Sequence, residues 1–184
     1  MTADEFYDWS HRPENEGRSW ELERGEVVEM PSPGRRHGIV CGSVVRLLGN
    51  YLYDRRQGYL CSNDTGVVLE RNPDTVRGPD VMVFDRSIAF ADAPLKYGDD
   101  LPQLIVEVVS PTDQHTKTMK RVSQYLKSGI PLVWVVDPEQ RAVAVHHPRE
   151  IPMVLDENDE LTGNGVFPDL RIAVSKLFAV PGQG

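Results

Sequence analysis

Two carboxylates stand out by the residues around them. Glu107 lies inside the run Leu104-Ile105-Val106-Glu107-Val108-Val109-Ser110-Pro111, and Asp80 lies near the start of Gly78-Pro79-Asp80-Val81-Met82-Val83-Phe84. Both runs read as buried strands. A lone carboxylate loses several kcal/mol on leaving water, so an acid in such a strand must be paired, protonated or bound to a cation. Asp80 begins its strand and Glu107 sits near the end of its own. Antiparallel pairing would therefore bring the two to one rim of a sheet. Two oxyanions held close attract a divalent ion. The plainer alternative is that Asp80 is a turn residue and Glu107 meets a structural arginine.

The elements that must position these acids follow from periodicity and punctuation. Thr2-Ala3-Asp4-Glu5 is a capping box that starts a helix running to about Trp9. Residues 20–30 predict two short strands about an Arg24-Gly25 turn, stopped by Pro31-Ser32-Pro33-Gly34. From His37 the period changes: Val40, Cys41, Val44, Leu47, Leu48, Tyr51 and Leu52 recur at helical spacing to about Arg56. Residues 59–61 and 66–70 are strand-like, and Asn72-Pro73-Asp74 is a turn. The long stretch from Asp85 to Pro102 is either a functional flap or a poorly ordered loop. Thr112 or Asp113 can cap a helix that runs to Ser128 and stops at Gly129. Residues 132–136 form a second buried strand that returns along 142–145, and residues 153–155 offer an edge strand. An amphipathic turn at 174–178 closes the chain. This order predicts an α/β fold, a mixed β-sheet flanked by helices, with the strands before and after the second long helix parallel.

Composition narrows the function. A chain of 184 residues, 40% hydrophobic and 26% charged, is most simply one domain. Its net charge of −8 repels nucleic acid at long range and argues against tight non-specific DNA binding. Any such partner needs a local basic patch or a bound cation. Gly-rich phosphate loops are absent. No apolar run approaches the roughly 18 residues of a membrane span, and Met1-Thr2-Ala3-Asp4-Glu5 carries no signal-peptide pattern, so a cytoplasmic protein is expected. Cys41 and Cys61 suit a reducing compartment and belong to no metal-ligand spacing, which predicts two small core residues.

The spacing of Pro79-Asp80 and Glu107-Val108-Val109, with a helix on either side, resembles the PD-(D/E)XK nuclease superfamily. Its Uma-two family of restriction endonucleases is the closer likeness. The matching stretches are Trp20-Glu21-Leu22, Gly25 to Met30, Pro31-Ser32-Pro33 with His37, Arg77 to Asp80, Glu107 to Asp113, and Tyr125-Leu126 through Gly129 to Val133-Trp134-Val135-Val136-Asp137-Pro138. The resemblance implies a restriction-endonuclease-like fold spanning residues 1–184. It also implies an Mg²⁺- or Mn²⁺-dependent endonuclease acting on DNA, with Asp80 and Glu107 as metal ligands and the Val108 carbonyl as a third oxygen. Hard cations take oxygen ligands and keep waters, one of which can be deprotonated to attack a phosphodiester.

The sequence departs from the superfamily two residues after Glu107, where Val109 stands in place of a lysine. In the Uma-two family the lysine comes instead from the following helix, at a position that here is Arg121. Arginine keeps the charge but cannot serve as a base. Taking Met119, Val122 and Leu126 as the buried face sets Arg121 on the flank nearest the sheet; Lys117 or Lys120 could substitute, or all three could form a solvated face. His37 matches the family histidine and either acts near the metal or phosphate or bonds the helix start. Glu21 matches a family glutamate and either reaches the metal through water or pairs with Arg24. The competing interpretations are a nuclease fold that no longer cuts, kept to bind nucleic acid or a protein partner, and a purely structural protein. An exposed edge strand leaves room for a homodimer.

Overall fold

The computed structural model describes residues 1–110, 115–180 and 182. The predicted box caps α1 (Ala3–Ser10): the Thr2 hydroxyl accepts from the Glu5 N–H at 3.3 Å, and the Thr2 N–H donates to the Glu5 carboxylate at 2.8 Å. Next, β1 (Ser19–Glu23) and β2 (Glu26–Met30) turn about Arg24 and Gly25, both at positive φ. The long helix α2 (Arg35–Arg55) ends where Arg56 takes the left-handed conformation. Then come β3 (Tyr59–Ser62), β4 (Val67–Glu70), β5 (Thr75–Arg77), β6 (Val81–Phe84) and β7 (Leu104–Val108). They lead to α3 (His115–Lys127), followed by β8 (Leu132–Asp137), β9 (Ala142–His146) and β10 (Met153–Leu155). A hairpin of β11 (Glu160–Gly163) and β12 (Phe167–Ala173) completes the chain before a short 3-10 turn. The caps predicted at Thr112 or Asp113 lie outside the described residues.

Six strands form the central sheet, in the order β10-β9-β8-β7-β6-β3. As expected for strands joined through a helix, β7 and β8 run parallel; the other pairs are antiparallel. Alternation along β7 divides the core in two. Leu104, Val106 and Val108 cluster with Val40, Val44, Leu48 and Leu52 of α2, whereas Ile105 clusters with Val122 and Tyr125 of α3. The sheet therefore carries a helix on each face, and Glu107, with the parity of Ile105, is directed toward α3. The β11–β12 hairpin lies in the same cluster as α2 through Leu161, Phe167, Leu170 and Ile172. Among the described residues no helix is long and apolar enough to cross a membrane.

A second sheet, β2-β1-β5-β4, supports α1, whose Ala3 and Phe6 bury against Leu22, Val68 and Val76. The stretch after β6 docks on this unit. Tyr97 stacks on Phe6 with ring centroids 6.0 Å apart, Tyr7 donates to the Leu95 carbonyl at 3.0 Å, and Lys96 pairs with Asp8 at 2.6 Å. A Cβ at Gly66 would collide with the Tyr97 ring, so glycine there lets this stretch lie against β4. Residues 95–97 of the stretch expected to be a flap or a poorly ordered loop are thus anchored to α1.

Candidate active site

The register of β6 and β7 sets Val81 opposite Val106 and Met82 opposite Ile105, and one step outward the same register brings Asp80 beside Glu107. Asp80 is held from two sides: its Oδ2 accepts from the Val108 N–H at 2.7 Å, and its Oδ1 lies 3.0 Å from Nε2 of His37, in the first turn of α2. A third acid, unmarked by any motif, stands close by. A Cβ at Gly78 would come within 2.7 Å of the Asp64 carbonyl oxygen, so the chain entering β6 runs tight against the loop that carries Asp64. Protein packed around the Asp64 carboxyl raises its pKa; Asp80 adds to the rise, and His37 and Arg121 oppose it.

Glu107 meets an arginine, as the plainer alternative expected, and it is the arginine that the family pattern singles out. Its Oε1 accepts from Arg121 Nη2 at 2.9 Å and Nε at 3.2 Å, and from the Tyr125 hydroxyl. Arg121 Nη1 donates to Glu21 Oε1 at 2.8 Å. The same Glu21 oxygen accepts from the Gly78 N–H at 3.0 Å, while Glu21 Oε2 takes Nη1 of Arg77 at 2.7 Å. Gln124 of α3 in turn accepts from Arg77 at 2.8 and 3.1 Å. Two carboxylates and two guanidiniums thus alternate through the interior, tying β1, β5, β7 and α3 together. Glu21 and Arg77 are only 3% and 4% exposed, so each charge depends on its neighbours. Burial pushes the Glu107 carboxyl up to about 7, with Arg121 and Tyr125 pulling against the rise and Asp80 adding to it. Burial also works against the Arg121 charge, but the Glu107 and Glu21 carboxylates beside it keep it cationic.

Several expectations are corrected here. Glu21 pairs with Arg77 and Arg121, not Arg24. The buried positions of α3 are Thr118, Val122 and Tyr125, because the Tyr125 hydroxyl reaches Glu107 while Met119 and Leu126 remain half-buried. About that centre Arg121 lies only roughly 70° round the helix, and Lys120 is on the opposite side, where it pairs with Glu23. Lys117 is exposed and outside the cluster. Cys41 is not simply a core residue: its Sγ lies 3.4 Å from His37 Nδ1 and 4.0 Å from Nε2, and donor atoms of His37, Cys41 and Asp80 all lie within 4.8 Å of one another. The i, i+4 spacing of His37 and Cys41 on one helix face was visible; the approach of Asp80 to both was not. Burial and the carboxylates of Asp80 and Asp64 raise the Cys41 pKa, so the free thiol is neutral.

Part of this cluster opens onto a cleft of about 640 Å³. Asp80, Glu107, Arg121 and His37 line it together with Arg18, Trp20, Lys96 and Tyr97. The oxygen donors of Asp80 and Glu107 suit a hard divalent ion, whereas the nitrogen and sulfur at one side are ligand types that Mg²⁺ does not favour.

The Uma2 family, described as "Putative restriction endonuclease", matches residues 3–175 of the chain. Among solved structures, a crystal structure titled as "a putative nuclease belonging to DUF820" from Anabaena variabilis superposes with a TM-score of 0.80. It covers 97% of each chain at 22% identity, a likeness of fold. Among curated proteins none matches significantly.

Proposed function

The chain belongs to the Uma2 family, and from that membership we propose that it is a metal-dependent endonuclease that hydrolyses DNA phosphodiester bonds. The observation that carries this reading is the register of β6 and β7, which brings Asp80 and Glu107 side by side in the lining of one cleft. In this reading both carboxylates hold Mg²⁺ or Mn²⁺. The Val108 carbonyl joins them, since the N–H and C=O of an extended residue point to the same neighbouring strand and the Val108 N–H already points to Asp80. Such an ion, when bound, lowers the pKa of a coordinated water and offsets charge on the pentacovalent phosphorus.

The remaining roles fall to the chain itself. Arg121, always cationic, draws a phosphate oxygen toward Glu107 and cannot act as a base. Glu21 orients Arg121 by holding its Nη1. His37 orients Asp80 and stands beside the position of the scissile phosphate. Lys117 is the reserve cation if the DNA backbone tracks along α3. We further take residues 1–184 as one nuclease-like domain acting in the cytoplasm, with a homodimer through an exposed sheet edge as the assembly to test by sedimentation.

One observation favours a second reading, a nuclease fold that binds nucleic acid or a protein partner without cutting. Arg121 is engaged by two carboxylates, and Val109 leaves no lysine beside Glu107. The two readings separate on supercoiled plasmid DNA. The nuclease nicks or linearises it in Mg²⁺ or Mn²⁺, stops in EDTA, and loses the activity in Glu107→Gln. Undiminished cutting in EDTA, or none by the wild type with either ion, contradicts the nuclease reading.

A further inference from the structure

A second kind of donor set adjoins the carboxylate pair. His37 and Cys41 are one turn apart on the same face of α2, near its N-terminus, and Asp80 approaches both from the start of β6. The His37 Nε2 to Asp80 Oδ1 separation is 3.0 Å, and the Cys41 Sγ to His37 Nε2 separation is 4.0 Å. Donors sharing one tetrahedral Zn²⁺, at Zn–N and Zn–O distances of about 2.0–2.1 Å and Zn–S of about 2.3 Å, stand roughly 3.3 and 3.6 Å apart. The His37–Asp80 pair is already near that spacing, whereas the Cys41 Sγ, now nearer Nδ1 (3.4 Å) than Nε2, must swing about its Cα–Cβ bond to the Nε2 side to join them.

We propose that His37, Cys41 and Asp80 form a three-ligand site for a divalent transition metal of borderline softness, of which Zn²⁺ is the type, with one coordination position open toward the cleft. The donor chemistry selects the ion. Thiolate and imidazole favour zinc and cobalt over magnesium, and a single carboxylate completes three protein ligands. Binding forms a metal–sulfur bond as the Cys41 S–H proton passes to solvent, so each ion bound releases one proton from the thiol. Because Asp80 belongs to both donor sets, an ion on His37 and Cys41 engages a residue that the hard-ion position also needs. This site goes beyond the nuclease reading and does not require it: the metal binds whether or not the protein cuts DNA.

The test uses Co²⁺ as a spectroscopic substitute for Zn²⁺ on the full chain. Titration of the wild type is expected to produce a thiolate-to-cobalt charge-transfer band in the near ultraviolet, which Zn²⁺ abolishes by displacement. Cys61→Ser retains the band, since Cys61 lies outside the donor set. Cys41→Ser loses it and binds Co²⁺ at least about tenfold more weakly, and His37→Ala weakens binding by a similar factor. Circular dichroism of each variant verifies its fold. If Cys41→Ser fails to fold, the wild-type and Cys61→Ser spectra still decide. A wild type without the near-ultraviolet band at saturating Co²⁺, or a folded Cys41→Ser that keeps it, overturns the proposal. A band without plasmid cleavage leaves this site standing and removes the nuclease reading; Mg²⁺-dependent cleavage without a band does the reverse.

Discussion

Arg121 is the residue on which stability and the proposed chemistry meet. Its guanidinium joins Glu107 to Glu21 in the interior, so removing it leaves two buried carboxylates short of a partner. Arg121→Ala should therefore cost about 3–5 kcal/mol of stability, whereas Lys127→Ala, on the exposed side of the same helix, should stay within about 0.5 kcal/mol. Urea unfolding of both variants measures the difference, and similar midpoints would show that the buried network carries no weight. At this scale the sequence was informative wherever the signal was local. Asp80 and Glu107 could be paired because strand alternation and a single antiparallel register sufficed. The partners of Glu21 could not, since Arg77 is 56 residues away and Arg121 is 100. Asp64 was missed for the same reason: it lies in a loop, and only the close pass of Gly78 brings it to the site.

Among the elements, the long periodic helices and the apolar strands were readable, and the short or broken ones were not. β5 spans three residues, Thr75–Arg77, too few to establish a period. β11 and β12 lay hidden in an acidic, turn-rich tail, although Leu161, Phe167, Leu170 and Ile172 complete the core around α2. The face of α3 was misjudged because Tyr125 and Thr118 are buried through polar partners or close packing that hydropathy does not reveal. Strand β9 carries a prediction of its own. Burial depresses the pKa of His146, with His147 adding to the effect, so the folded chain holds this imidazole neutral where the unfolded chain protonates it. The stability that follows is fully present above the ordinary histidine pKa and is lost as pH falls below about 6.5. Urea midpoints at about pH 7.5 and about pH 5.5 should thus fall further apart for the wild type than for His146→Leu. Equal differences would mean that His146 is not held neutral.

For the whole molecule, charge poses the question that the site must answer. A protein of net charge −8 gains little from long-range attraction to DNA, so affinity has to come from the cleft. Arg18, Lys96, Arg121 and any cation on Asp80 and Glu107 are what the cleft offers. Family membership agrees with the proposed use, which requires the two carboxylates to accept an ion in spite of the arginine already bound to one of them. Anomalous diffraction from a crystal soaked in Mn²⁺ tests this most directly. A peak is expected in contact with a carboxylate oxygen of Asp80 and one of Glu107, with water in its remaining positions. No peak at saturating Mn²⁺, with Arg121 and Tyr125 still closed on Glu107, would contradict it.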